Sequence, residues 1–337
     1  MKKKLFLPFT FLSLTSVFFP SCDGEVPPRT EEVIGTVCTV NAFKDGSKKL
    51  YDQLFNRLHE IDRAFSVHIS DSDISRLNAA SGRESVVLSP DVFYVLEQSV
   101  FYADLCDGIF DPSVGPLVQL WDVTSDNPHV PEIADIKNAQ TLVNYKDIVL
   151  DKKTSSAFLK KEGMAIDLGG IAKGFAADEL VKILKEKKVK RALINLGGNV
   201  STYGIKENGN PWKIGIRDPI YGNELAAALS IEGSMSVVTS GIGERYFMKD
   251  GVRYHHIIDV RSGYPGDAGY MSSSIISSSS IQADALSTIS FLAGPAEFKK
   301  ILEKIPDGEE IAFVFIDRQR EFTLSDNIKE NFESMYE

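Results

Sequence analysis

Met164-Ala-Ile-Asp-Leu-Gly-Gly-Ile-Ala-Lys-Gly-Phe-Ala-Ala-Asp178 is the stretch on which the reading of this chain turns. Residues 164–168 are a short apolar run with one carboxylate, Asp167, near the exit, and read as the end of a strand. Gly169 and Gly170 follow; lacking Cβ atoms, they let the backbone turn tightly and approach a ligand. From Ile171 the pattern is helical, with Ala172, Ala176, Leu180 and Ile183 recurring at one-turn spacing. The spacing predicts a helix N-terminus with free N–H groups beside Lys173 and Asp167. Such a place suits a diphosphate with a metal ion: N–H groups and the lysine face anionic oxygens, and the carboxylate or carbonyls face the cation. Taken alone, the stretch is equally an ordinary strand–turn–helix junction, its glycines kept for geometry. It is not a Walker A loop, since no Gly-Lys-Ser/Thr follows a four-residue spacer, and its glycines lack the spacing of a dinucleotide fingerprint.

Four other segments stand around it. Gly108-Ile-Phe-Asp-Pro-Ser-Val-Gly-Pro116 comes before. Asn195-Leu-Gly-Gly-Asn199, His255-His-Ile-Ile-Asp-Val-Arg-Ser-Gly263 and Asp284-Ala-Leu-Ser-Thr288 come after, in that order. With Asp167-Leu-Gly-Gly-Ile-Ala-Lys-Gly174, the five in register resemble the ApbE family, the FAD:protein FMN transferases, over about residues 33–324.

Asp284 and Thr288 are four residues apart on a helical stretch, so they share a face, and both offer the hard oxygens that magnesium prefers. By themselves they read more simply as a helix cap and a buried threonine. The resemblance implies that they bind Mg2+, assisted by a backbone carbonyl near Gly170 and by Ser287. It further implies that Ile34, His68, Gly108, Ile109, Phe110, Asp167, Lys173, His256 and Ile258 border the FAD. Asp284 and His256 are the candidates for the general base. If 253–260 is a strand, His255 points away from His256, because side chains alternate. Asp259, Arg261, Glu244 and Arg245 read equally as a structural ion-pair network. His68 stands where the family commonly carries a tyrosine over the flavin, and a smaller polar ring there would admit water.

The activity that the resemblance implies is Mg2+-dependent transfer of FMN from FAD to a Thr or Ser hydroxyl of a partner protein, with release of AMP. The alternatives are a Mg2+-dependent FAD pyrophosphatase giving FMN and AMP, and a lipoprotein that binds FAD without turning it over. A redox flavoenzyme is less supported, for no nicotinamide site or redox cysteine pair is visible.

Bulk properties agree. The 337 residues, 43% hydrophobic and 25% charged, suffice for one large domain or two small ones with a real core. A net charge of −10 and the lack of a basic stripe argue against nucleic acid. Cys22, Cys38 and Cys106 show no metal spacing, and the five histidines form no His-x-x-x-His pair. Pairing of Cys38 with Cys106 is left open.

At the start, Lys2 to Lys4 precede an apolar segment over 5–19, too short for a comfortable membrane span. Phe19-Pro-Ser-Cys22 resembles a lipobox, so residues 1–21 read as a signal peptide and Cys22 as the lipidated residue. Residues 22–32 read as a polar tether, 33–325 as the flavin transferase domain, and 326–337 as a polar surface tail. The location expected is the bacterial cell envelope, on the periplasmic side, lipid-anchored to the inner membrane. By resemblance the acceptors are subunits of envelope redox complexes.

Along the chain, 32–43 reads as the first strand, 46–65 as an amphipathic helix, 71–78 as a turn and short helix, and 90–106 as a helix with Ser89 as N-cap. Residues 108–116 read as an irregular loop that presents Phe110 and Asp111, and 131–142 as a helix. Strands are expected over 191–196, 211–217, 226–231, 235–240 and 271–280. Hairpins are expected around Lys249-Asp250-Gly251 and over 311–324, and helices over 281–293 and 297–304. Antiparallel hairpins mixed with helices give an α+β fold. The resemblance adds two α+β lobes with mixed or antiparallel sheets and the FAD site in the cleft between them.

Overall fold

The computed structural model describes residues 26–305 and 311–336. The signal peptide and Cys22 lie outside the described residues. An eight-stranded sheet is the frame. Its strands run, edge to edge, Arg29–Val33, Thr36–Asn41, Arg191–Leu196, Asn199–Gly204, Ser236–Gly241, Tyr270–Ser277, Ala312–Asp317 and Phe322–Leu324. All its pairings are antiparallel.

Eight α-helices are described: α1 (Lys48–Phe65), α2 (Asp73–Ala79), α3 (Pro90–Leu105), α4 (Gly115–Trp121), α5 (Ile133–Gln140), α6 (Ala172–Glu186), α7 (Ser280–Ala293) and α8 (Pro295–Leu302). Period-two alternation divides the strands between two cores. Phe313 and Phe315 face the larger core with α1, α6 and α7. Ala312, Val314 and Ile316 face a second core, against a three-stranded sheet that contains Trp212–Arg217 and Leu225–Ile231. A small third core gathers Leu117, Trp121, Ile136 and Ile258. The architecture is α+β, as expected.

Helix signals in the sequence are honoured. Ser47 caps α1, its side chain accepting from Leu50 N, and Leu50, Leu54, Leu58 and Ile61 form the buried stripe. Ser89 precedes Pro90 at the start of α3, but its side chain makes no capping bond. The Asp250-Gly251 turn has φ of 52° and 77° and closes the hairpin of Tyr246–Lys249 with Val252–His255.

Several expectations are corrected. Residues 164–168 are not a strand: the only ladder contact there is an isolated parallel bridge, Val114 to Ala165. The expected strand over 32–43 is two strands, broken by a turn in which Ile34 and Gly35 have φ of 50° and 67°. A β-branched residue at positive φ is a true outlier, so nothing in the sequence announces that turn. The tether ends earlier than residue 32, since Arg29–Val33 is a sheet strand. Of the tail over 326–337, the described residues 326–336 are part of the fold. Phe332–Ser334 pairs with Leu225–Ile231, Ile328 is buried, and Tyr336 Oη donates to Asp218. Phe110 and Asp111 lie outside any helix but are buried, 6% exposed each, not presented. Asp111 accepts from Ser113 N, Ser113 Oγ and Tyr145 N, which holds the loop in shape. Cys38 and Cys106 are free buried thiols, and burial pushes Cys38 up to about 12.

Candidate active site

The helix N-terminus expected after the glycine pair is present. Leu168 and Ile171 carbonyls accept from Ala172 N and Phe175 N, so α6 begins at once after the turn. Asp167 Oδ1 accepts from Gly169 N at 2.8 Å, and Asp167 N donates to Pro112 O, tying the turn to the loop over 108–116.

α6 and α7 meet closely at this end. A Cβ on Gly174 would stand 2.3 Å from the carbonyl oxygen of Ser280, so only glycine permits the approach. Asp178, one turn on, accepts from Ser280 N and Ile281 N, both at 2.9 Å, and so caps α7 from a neighbouring helix. That clamp puts Asp284 beside the start of α6. Asp284 is 2% exposed; its Oδ2 accepts from Gly174 N at 2.8 Å, and its Oδ1 is 3.4 Å from Lys173 Nζ. Lys173 also donates to Gly169 O.

One turn along α7, Thr288 Oγ1 and the Phe110 ring both stand beside Gly170, 3.2 Å and 3.0 Å from where its Cβ would be. Ser287 Oγ lies 2.8 Å from Ser240 Oγ and donates to Asp284 O. Thus Gly170, Asp284, Ser287 and Thr288, from two segments over a hundred residues apart, form one cluster of oxygens. Among the described residues no group of three His, Cys, Asp or Glu is placed to hold a metal. One buried carboxylate with hydroxyls and backbone carbonyls suits magnesium, which takes few protein ligands and completes its shell with water and phosphate. These residues fit that ion.

The opposite wall carries His256. Its Nδ1 is 3.3 Å from Arg245 O, an oxygen that can only accept. Nδ1 therefore holds the ring proton, and Nε2 keeps its lone pair. The ring is half-buried but ringed by protein; burial, then the charges of Arg245 and Lys173, push its pKa down to about 3. His255 does point the other way: it is buried, makes a 3.0 Å contact with Gly266 O and stands edge-on to Phe291. Arg245 donates to Gly35 O, which brings the Ile34-Gly35 turn to the same rim.

Sequence reasoning did not place three participants at the site. Ser240 joins the hydroxyls of Ser287 and Thr288. Glu244 is exposed on one side but crowded by protein, which raises its carboxyl pKa against the opposing pull of Lys173, and it lies 3.0 Å from where a Cβ on Gly198 would be. Asp178 closes the quoted stretch, yet its capping role needs a partner a hundred residues away. Of the expected ion-pair network, only Arg261 with Asp259 forms; Glu244 and Arg245 are not paired with each other.

The remaining candidates take different places. Gly108, at φ 82°, makes the turn into the buried Ile109 and Phe110. His68 is exposed in the turn after α1. The side chain of Ile258 belongs to the small third core with Leu117 and Trp121.

Known proteins similar to this chain carry one family name. The model of the ApbE family matches residues 34–313. A protein of Treponema pallidum named FAD:protein FMN transferase is 35% identical over 320 residues, covering 89% of this chain and 88% of that one. One of the same name from Klebsiella pneumoniae is 37% identical over 277 residues, covering 82% and 84%. Among solved structures, the ApbE protein of Thermotoga maritima superposes with a TM-score of 0.81 at 30% identity, over 91% of this chain and 99% of that one. The flavin transferase ApbE of Vibrio cholerae, at 23% identity and a TM-score of 0.78 over 90% and 96%, shares the fold. On a family match that spans most of its length, and on relatives above 30% identity along most of theirs, this chain belongs to the ApbE family.

Proposed function

We propose that the chain is a magnesium-dependent FAD:protein FMN transferase. The observation that carries the reading is the convergence of Lys173, Asp284, Thr288 and the Gly169-Gly170 turn at one helix N-terminus. The FAD diphosphate would lie against the Lys173 ammonium at the N-terminal end of α6, where the helix dipole favours an anion. Asp284, Thr288 and Ser287, with a carbonyl near Gly170, would hold the magnesium, which supplies charge neutralisation to the phosphoryl oxygens and the leaving group. With that ion bound, Lys173 would be released from Asp284 to the phosphate. The rim formed by Ile34, Gly108, Ile109 and Phe110 would border the flavin side, with Asp167 fixing the turn and Ile258 supporting the wall from behind.

In the reaction, an acceptor Ser or Thr oxygen bonds to the phosphorus on the FMN side. The bond from that phosphorus to the bridging oxygen breaks, and AMP leaves with that oxygen. His256 Nε2 has the lone pair to take the hydroxyl proton. A dianionic diphosphate would offset the charges of Lys173 and Arg245 that now depress its basicity. Asp284, engaged by the ion, is the weaker base candidate. The same proposal anchors the chain by a lipid on Cys22 to the periplasmic face of the inner membrane, with acceptors among envelope redox proteins.

Hydrolysis is the second reading. His68 is exposed, and a solvent-facing polar ring does not exclude water. The test is AMP release by the full chain from FAD and Mg2+, with and without envelope proteins of the host as acceptor. The expected result is acceptor-dependent AMP release that tracks flavin fluorescence on the acceptor, slowed on the order of 100-fold by Asp284→Ala. AMP without acceptor identifies the hydrolase, and His68→Tyr should then lower free FMN relative to bound FMN. Tight FAD binding without AMP would overturn both and leave a binding protein.

A further inference from the structure

We infer that the end of the molecule opposite the FAD cleft is a docking surface for an anionic phospholipid bilayer. The inference rests on the proposed lipid at Cys22. Two lysine-rich segments about 140 residues apart in sequence, Lys48-Lys49 and Lys185-Glu-Lys-Lys-Val-Lys-Arg191, come together there. Lys49, Lys187 and Lys188 open onto one shallow groove of about 310 Å3, with Asp45 and Gln53. Lys190 N donates to Asp45 Oδ2, which pins the second segment beside the first. Lys49, Lys185, Lys187, Lys188 and Lys190 are exposed, and among the described residues none of their ammonium groups pairs with a carboxylate. Of the acids at this end, Asp52 and Glu207 are engaged by Lys48, Arg29, Lys44 and Arg191, Asp45 accepts from Lys190 N, and Glu186 stands exposed among the more numerous lysines. A chain of net charge −10 thus keeps a cationic end.

Lys188 adds an independent sign. It has φ 56° just past α6, and Val189 N donates to Leu184 O to close the helix. That position ordinarily favours glycine, which adopts it without strain. A lysine there keeps a charge at a conformational cost.

The chain enters the fold at the same end. Val26 packs on the main core, and Arg29 pairs with Asp52, the carboxylate that also binds Lys48. Cys22 is four residues before Val26, at most roughly 14 Å of extended chain. A lipid on Cys22 would hold these lysines at a headgroup surface, where charges within about 8 Å are felt at physiological ionic strength. The elements also give the direction. The strands Arg29–Val33, Thr36–Asn41 and Arg191–Leu196, with α1 and α6, all run between this end and the cleft. The 15 residues of α6 span about 22 Å. Docked through the lysines, the cleft faces away from the bilayer, toward soluble parts of its acceptors.

The test uses the full chain reconstituted in vesicles of phosphatidylcholine, with or without phosphatidylglycerol. The acylation rate of each lysine by a water-soluble amine reagent is read by peptide mass spectrometry. Lys249, exposed on the hairpin beside the cleft, is the reference. With phosphatidylglycerol at low salt, Lys49, Lys187 and Lys188 should react on the order of tenfold more slowly than Lys249. The protection should vanish in neutral vesicles and at high salt. Lys187→Glu with Lys188→Glu should abolish protection of Lys49 with the thermal midpoint unchanged. Equal rates at the patch and at Lys249 in anionic vesicles would overturn the inference. The intact mass of the chain separates the two readings: no lipid on Cys22 with the patch protected refutes only the anchor, and a lipidated chain with unprotected lysines refutes only the patch.

Discussion

His256 shows how the site is tuned by single residues. Burial, with Arg245 and Lys173 nearby, holds its folded pKa at about 3, against 6.5 for the free side chain. Between those values the unfolded chain binds a proton that the folded one does not. Stability contributed by neutral His256 is therefore present above pH 6.5 and lost as pH falls toward 3. His256→Gln should flatten the fall in thermal midpoint over that window; an unchanged slope would show that His256 does not titrate as the fold implies. At this scale the sequence was most readable where a motif carries its own pattern. Lys173, Asp284, Ser287 and Thr288 converge as the five motifs suggested. Ser240 was hidden and Glu244 was readable only as one charge among four, because one hydroxyl on a strand or one acid in a turn has no period, and their place at the site comes only from what the fold sets opposite them.

The pair α6 and α7 is the element that makes the site. Its geometry depends on Gly174 and Asp178, neither of which touches the proposed ligand. Gly174→Ala would drive a Cβ into the Ser280 carbonyl, and we expect it to cost about 1–3 kcal/mol, as overpacking does. Because the same shift moves Asp284, AMP release should fall even at temperatures where the variant is folded. A variant as stable and as active as the parent, by denaturant melts and AMP assay, would contradict the clamp. Helices were well marked in the sequence, since caps and long apolar stripes are local. Short strands were not: Ile148–Asp151 and Ser156–Leu159 pair with each other without a strong alternation, and Phe332–Ser334 is a strand only because Leu225–Ile231 offers an edge. The Ile34-Gly35 turn escaped because it places a β-branched residue at positive φ.

For the whole molecule, the main sheet explains why no lobe boundary was visible in the sequence. It takes strands from residue 29 to residue 324, so the cores are interleaved along the chain and not arranged in series. The antiparallel strands and the long helices set two ends apart: the oxygen cluster, Lys173 and His256 at one, the lysine groove and the chain entry at the other. In the first of these, we propose, an acceptor hydroxyl attacks the FMN-side phosphorus of FAD. Reaction in 18O-labelled water, with mass analysis of AMP and of the flavinylated acceptor, tests it most directly. The expected result is one AMP for each flavin transferred and no solvent oxygen in either product. Label in FMN would show that water is the nucleophile, and flavin on the acceptor without AMP release would contradict attack at that phosphorus.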